Sequence, residues 1–305
     1  MRGAHRALVL GIGGGGDVVG SLALARYCEQ LGTPFVLGGV AWERMPIDPH
    51  PGPRPSEQIV GGRRLGERAV LADPETSTPE GVRFSEAHVA GYLGTDTVLI
   101  DVSGGAVGAA EGIEAAAAEL DCDVAVYVDV GGDAVALGDE PGLASPLCDA
   151  VMLGAGLRLR ETLPGVVAVL GAGCDGELTP DEVLARVAAL ASAGAWIGTW
   201  SLTAEIADEV EQAALRSGTE ASMQVVRCAR GETGLAEIRA GRRHVPLGPV
   251  GALAFLFDLE GAASELTLAR AVTESLEIEA ARATLDELGV HSELDYERTR
   301  AGEGP

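Results

Sequence analysis

The sequence predicts an α/β fold: a three-layer, mainly parallel, doubly wound sheet of Rossmann-like type with a helical C-terminal lobe. Three observations lead there. Up to about Gly194, short apolar runs alternate with helix-spaced segments, the pattern of repeated βαβ units. Several of the runs end in glycine-plus-aspartate clusters: Gly11-Ile12-Gly13-Gly14-Gly15-Gly16-Asp17, Asp101-Val102-Ser103-Gly104-Gly105, Asp129-Val130-Gly131-Gly132-Asp133 and Gly171-Ala172-Gly173-Cys174-Asp175-Gly176-Glu177. Beyond Gly194 the periodicity becomes mostly helical.

In order, Ala7 to Leu10 reads as a buried strand and Val18 to Leu31 as a helix that stops at Gly32. Phe35 to Val40 is a second strand. Prolines 46, 49, 51, 53 and 55 then exclude regular structure from a long loop over 41–66, and loops of that length are commonly functional. Ala69 to Leu71 reads as a short strand, Ser85 to Leu93 as a helix and Thr97 to Asp101 as a strand. Glu111 to Leu120 is an alanine-rich helix, Val124 to Val130 a strand, Leu147 to Leu153 a helix and Val166 to Leu170 a strand. Thr179-Pro180-Asp181-Glu182 is a helix start with cap, proline and first-turn acids in place. Thr203 to Ser217 and Leu266 to Leu288 have helical spacing, Val225 to Cys228 and Ala252 to Phe257 read as additional strands, and the last residues from Thr299 read as frayed. The expected division is a nucleotide-binding-like core over 1–195 and a lobe over 196–305, with one continuous domain as the alternative.

Composition narrows the function. The formal net charge is −24, all 22 basic residues are arginine, and lysine and asparagine are absent. A field of that sign repels nucleic-acid backbones, so no nucleic-acid partner is expected. Absence of lysine removes Schiff-base and Walker-type lysine chemistry. Salt adaptation and GC-rich coding both account for the acidity, and the first is favoured because codon bias does not explain 46 acidic residues. The longest apolar stretches, such as Val250 to Phe257, fall short of the roughly 20 residues that cross a bilayer, so no membrane partner is expected. The start at Arg2 and Arg6 lacks the long apolar stretch of a signal peptide, and a cytoplasmic location follows. Five cysteines without a C-x-x-C pair argue against structural zinc or a disulfide framework. A homo-oligomer is left open.

The clusters suggest the chemistry. Gly13, Gly14, Gly15 and Gly16 follow a strand and open a helix, so their amides suit phosphate, and an anionic small molecule is the expected partner. The acid that a dinucleotide site requires after the second strand is replaced by Gly38-Gly39, so the loop reads as an anion site rather than an NAD site. Asp17 is either a helix cap or, with a cation between it and the anion, part of the site. Asp129, Asp133, Asp175 and Asp101 stand at strand ends beside glycine turns and are candidate ligands for Mg²⁺ or Mn²⁺, with Gly104, Gly131 and Gly132 as further candidate substrate- or phosphate-binding positions. For Asp133 a capped turn is the competing reading. Asp133, Asp175 and Glu177 are the candidate catalytic groups, whereas Cys174 reads as a packing residue and no histidine shows ligand spacing; His50, in the proline loop, is the one to watch. Arg44 and Arg54, among the prolines, are candidate clamps for a charged substrate.

Taken together, Gly13-Gly14-Gly15-Gly16-Asp17, Trp42-Glu43-Arg44, Gly52-Pro53-Arg54, Asp129-Val130-Gly131-Gly132-Asp133 and Cys174-Asp175-Gly176-Glu177 resemble the uncharacterised, largely archaeal domain-of-unknown-function family 1152 over nearly the whole chain. That resemblance implies a cytoplasmic prokaryotic protein and carries no reaction with it. Gly20 to Arg26 is also similar to the helix after the glycine loop of D-glutamate cyclase-type domains. The residues themselves point to a divalent-metal-dependent hydrolase or transferase acting on a small phosphorylated metabolite or nucleotide. A metal-dependent lyase or cyclase on a small carboxylic acid, and a non-catalytic metabolite sensor, are the alternatives.

Overall fold

The structure, a computed structural model, describes residues 3–302; of the amino-terminal basic pair, Arg2 lies outside them. Strand β1 (Ala7–Gly11) is apolar and buried at every position. It leads into α1 (Asp17–Gln30), β2 (Phe35–Val40), the short β3 (Arg63–Arg64), β4 (Ala69–Ala72), α2 (Ser85–Leu93), β5 (Thr97–Ile100), α3 (Gly105–Glu119) and β6 (Val124–Val130). There follow α4 (Pro146–Leu159), β7 (Gly165–Leu170), α5 (Pro180–Ser192), β8 (Trp196–Ser201), α6 (Ala204–Ser217), α7 (Ala221–Ala229), and the strands β9 (Gly234–Ile238), β10 (Arg243–Leu247) and β11 (Leu253–Asp258). Four helices end the described chain: α8 (Leu259–Ala262), α9 (Thr267–Val272), α10 (Ile278–Glu287) and α11 (Glu293–Ala301).

Nine strands form one mixed, mostly parallel sheet in the order β3-β4-β5-β2-β1-β6-β7-β11-β8, and β9 pairs with β10 in a separate hairpin. The five central strands are parallel, while β4, β3, β11 and β8 add antiparallel edges. Side-chain alternation divides the core: Leu8 and Leu10 join one cluster with α3, α4 and α5, and Ala7 and Val9 join another with α1, α6 and α7. Because both sides of the central strands are covered, they read as unbroken apolar runs. Among the described residues no helix is long and apolar enough to cross a membrane.

Differences from the sequence reading have local causes. Val225 to Cys228, expected as a strand, lies inside α7, whose buried Ala221, Ser222, Val225 and Val226 recur at helical spacing. The expected single helix over Leu266 to Leu288 is broken between α9 and α10. There the Ser275 hydroxyl and carbonyl accept from Ala106 N and Val107 N at the start of α3, and Ile278 N donates to Ser103 O. Beyond residue 195 the expected strand over Ala252 to Phe257 is present as β11, and the unexpected β8 pairs with it to extend the sheet itself. The chain from Thr299 to Ala301 continues α11 and stops at Gly302 in the left-handed conformation.

Candidate functional site

A cavity of about 620 Å³ lies where β1, β6 and β7 deliver their carboxyl ends. Gly13 to Gly16 form one wall, Asp133, Asp149, Asp175 and Glu177 line the floor, and Met45, Pro46 and Ile47 of the proline-rich loop close over it. The rim also includes the turn from Ser217 to Ala221 between α6 and α7, the tip of the β9-β10 hairpin and the face of α11 that carries Glu293, Tyr296, Glu297 and Arg300.

Two groups of acids meet here. Oxygens of Asp17, Asp129 and Asp149 lie within 4.8 Å of one another, as do those of Asp133, Asp175 and Glu177. The second group is largely satisfied by the protein. Glu177 accepts from Ala144 N at 2.7 Å, Ser145 N at 2.9 Å and Arg243 at 2.8 Å, and the Ser145 hydroxyl contacts it as well. Burial alone would raise the Glu177 pKa, but Arg243 and these donors outweigh it and hold the carboxylate below its ordinary range. The first group differs. Asp17 accepts from Gly13 N at 3.0 Å, yet both oxygens of Asp129 and Oδ1 of Asp149 are buried without a hydrogen-bond partner. Burial, followed by the neighbouring carboxylates, pushes the pKa of Asp129, Asp133 and Asp149 well up. Asp17 is raised to about 7 and Asp175 to about 8, again chiefly by burial.

Arg44 connects the walls. Its guanidinium stacks 4.4 Å over the Trp42 ring, donates to Gly13 O, and pairs with Glu293 at 3.2 Å. Glu293 in turn accepts from Leu147 N and Cys148 N at the start of α4, where a carboxylate is favoured by the exposed helix amides. Glu297 accepts from Trp42 Nε1 at 3.1 Å and Gly52 N at 2.9 Å, which ties the proline-rich loop to α11.

The structure brings together Gly13 to Gly16, Asp17, Arg44, Asp133, Asp175 and Glu177 along the cavity, with Asp129 beside Asp17 and Asp149. Gly131 and Gly132 do not line it. A Cβ on Gly131, whose φ is +138°, would stand 2.2 Å from Cγ of Asp175, so this glycine makes room for that acid. Asp101, Gly104 and Arg54 do not join the site, contrary to expectation. Asp101 accepts from Ser56 N, Ser103 N and Arg68, because β5 lies two strands away from β1 and its end is covered by the proline-rich loop. Gly104 packs under Arg68. Arg54 is buried against Asp48, making two 2.7 Å hydrogen bonds, and Glu80.

Sequence reasoning missed Asp149, Ser145, Arg243, Glu293 and Glu297. Asp149 did leave a signal, as an acid inside the otherwise apolar start of α4. Glu293 and Glu297, four residues apart, share one helix face, but nothing local announces that it is buried. The missing acid after β2 also finds an explanation: a Cβ on Gly39 would stand 2.0 Å from Oε1 of Glu86, so the neighbouring α2 fills that place with its own carboxylate.

A family model described as "Protein of unknown function (DUF1152)" matches residues 8–301. No curated protein matches the chain. No solved structure does either.

Proposed function

The chain belongs to the DUF1152 family, and from that premise we propose that it is a divalent-metal-dependent enzyme of hydrolase or transferase type acting on a small phosphorylated metabolite or nucleotide. The observation that carries the reading is Asp129, whose two oxygens are buried and unpartnered between Asp17 and Asp149. A buried carboxylate without partners is costly, and a hard cation is the partner that suits three aspartates.

We read the sheet as doubly wound, Rossmann-like and three-layered. Its parallel strands run β5-β2-β1-β6-β7, so the winding reverses between β1 and β6. Open α/β sheets bind ligands at that reversal, and Asp17 and Asp129 follow or end those two strands.

In this scheme Asp17, Asp129 and Asp149 would hold Mg²⁺ or Mn²⁺, which when bound offsets their charge and polarises an anionic ligand. Amides of the glycine loop at the start of α1 receive the phosphate. Among the described residues neither lysine nor histidine lines the cavity, and the carboxyl groups of its floor are the groups we assign to proton transfer. Asp175 and Glu177 are pushed in opposite directions, one to about 8 and the other below its usual range. Such a split suits a proton donor and an ionised partner: Asp175 would be the donor, and Glu177 positions Ser145 and Arg243.

A melting-temperature screen of nucleotides and sugar phosphates in high salt, with and without Mn²⁺, tests the reading. Ligands that bind only the native state raise its apparent stability. A shift that requires both ion and phosphate supports it, and no shift from any pairing overturns it.

A further inference from the structure

The cavity rim carries a cationic group that the reading above leaves unused. Arg242 and Arg300 both donate to the hydroxyl oxygen of Tyr296, each at 2.9 Å, so two guanidiniums meet at one neutral atom. Arg243, by comparison, is neutralised by Glu177 at 2.8 Å, and Arg239 has Glu220 at 3.9 Å. Arg242 donates otherwise only to Arg239 O, and neither Arg242 nor Arg300 makes an ion pair among the described residues. In a chain with 46 acids and a net charge of −24, a pair of facing cations without a counter-charge is unusual. Like charges at that separation repel unless an anion joins them. Guanidinium forks match the oxygens of phosphate and carboxylate. The hairpin tip that presents Arg239 and Arg242 is itself held in an uncommon conformation, with φ of +54° at Arg239 and +55° at Ala240.

We propose that Arg242, Arg300 and Tyr296, with Arg239 beside them, form a second anion subsite, so that the ligand of this cavity is a small molecule carrying two separated anionic groups. One group is the phosphate at the glycine loop, for which the inference rests on the reading above; the other, a phosphate or a carboxylate, lies at the rim. The cavity volume of about 620 Å³ is within the range that encloses a small metabolite.

Titration calorimetry with Mn²⁺ present, using fructose 1,6-bisphosphate against fructose 6-phosphate and 3-phosphoglycerate against glycerol 3-phosphate, tests it on the intact chain. The expected result is at least tenfold tighter binding of the doubly anionic member of one pair. The pair that discriminates identifies the rim group as phosphate or carboxylate. In R242Q/R300Q that preference falls to near unity, whereas R230Q, at an arginine paired with Asp208 and Glu211, retains it. Circular dichroism and melting confirm that the exposed double variant is folded. Equal binding within both pairs by the wild-type protein overturns the rim subsite and leaves the metal reading standing. A preference that persists without Mn²⁺ and disappears in R242Q/R300Q keeps the rim and sinks the metal reading. No binding of any of the four compounds overturns the rim subsite, while the metal reading is decided separately by the melting-temperature screen with nucleotides.

Discussion

The amide of Gly13 donates to Oδ2 of Asp17 at 3.0 Å, closing the glycine loop onto the first residue of α1. A Cβ at Gly13 would sit 2.6 Å from that same oxygen and 3.3 Å from Oδ2 of Asp149. Two acids can therefore approach this backbone only because residue 13 has no side chain. Replacing Gly13 by alanine should lower stability by about 1–3 kcal/mol, the usual cost of overpacking. It should also abolish Mn²⁺-dependent stabilisation. Urea denaturation with and without Mn²⁺ measures both, and a variant with wild-type values in each would remove Gly13 from the site.

Stability of the metal-free protein should decline as pH rises. Asp17 and Asp175 have folded pKa values of about 7 and about 8, above the ordinary aspartate value, so folding is favoured while they keep their protons. That contribution is complete below the unfolded aspartate pKa and is lost as pH climbs through these folded values. Glu177 has the opposite sign: the stability from its lowered pKa is present above the ordinary glutamate value and is lost as pH falls through the folded one. Melting temperature from pH 5 to pH 8, in high salt to screen the general surface charge, should fall without Mn²⁺ and stay nearly level with it. A melting temperature that rises across that window would contradict the assigned environments.

Arg44 should be irreplaceable by a smaller residue. It is mostly buried, pairs with Glu293 and stacks on Trp42. Arg44→Ala leaves the Glu293 carboxylate without its cation, and about 3–5 kcal/mol is the expected loss of stability for breaking a buried pair on one side. Arg44→Lys keeps the charge and loses the fork, so it should recover part of that stability. Chemical denaturation of the two variants decides: equal losses would mean that the charge contributes nothing.

Thr179→Ala provides a structural contrast. Thr179 caps α5 through a reciprocal box with Glu182, and its removal should cost about 1 kcal/mol. Binding of Mn²⁺ should be unchanged, since Thr179 does not line the cavity. A weakened affinity would show that the loop from Gly171 to Glu177 depends on this cap.

Local physics explains what was readable from sequence. The central strands are buried on both sides, so Ala7 to Leu10, Phe35 to Val40 and Val124 to Val130 announce themselves as apolar runs. Thr179-Pro180 marks its helix because a cap is encoded within four residues. Strand β8 gives no such signal: Trp196, Ile197 and Ser201 are exposed at the sheet edge, and pairing with β11 alone defines it. The same distinction divides the site. Asp129 stands at a strand end, and Asp17, Asp133 and Asp175 in or beside the glycine turns that follow strands, so all four could be named beforehand. Glu293 and Arg243 reach the cavity by tertiary packing of distant elements, which no spacing records. Asp101 had the right local pattern, and only the strand order moved it away.

The most direct test is Asp129→Asn, with divalent-ion binding and apo stability measured on the same samples. The variant replaces a buried carboxyl group, whose pKa burial already pushes well up, by a neutral side chain of similar shape, so the metal-free protein should melt close to the wild-type temperature, while Mn²⁺ binding by calorimetry should fall at least a hundredfold. Unchanged Mn²⁺ affinity in a folded Asp129→Asn protein, or a wild-type protein that binds no divalent ion, would contradict the account.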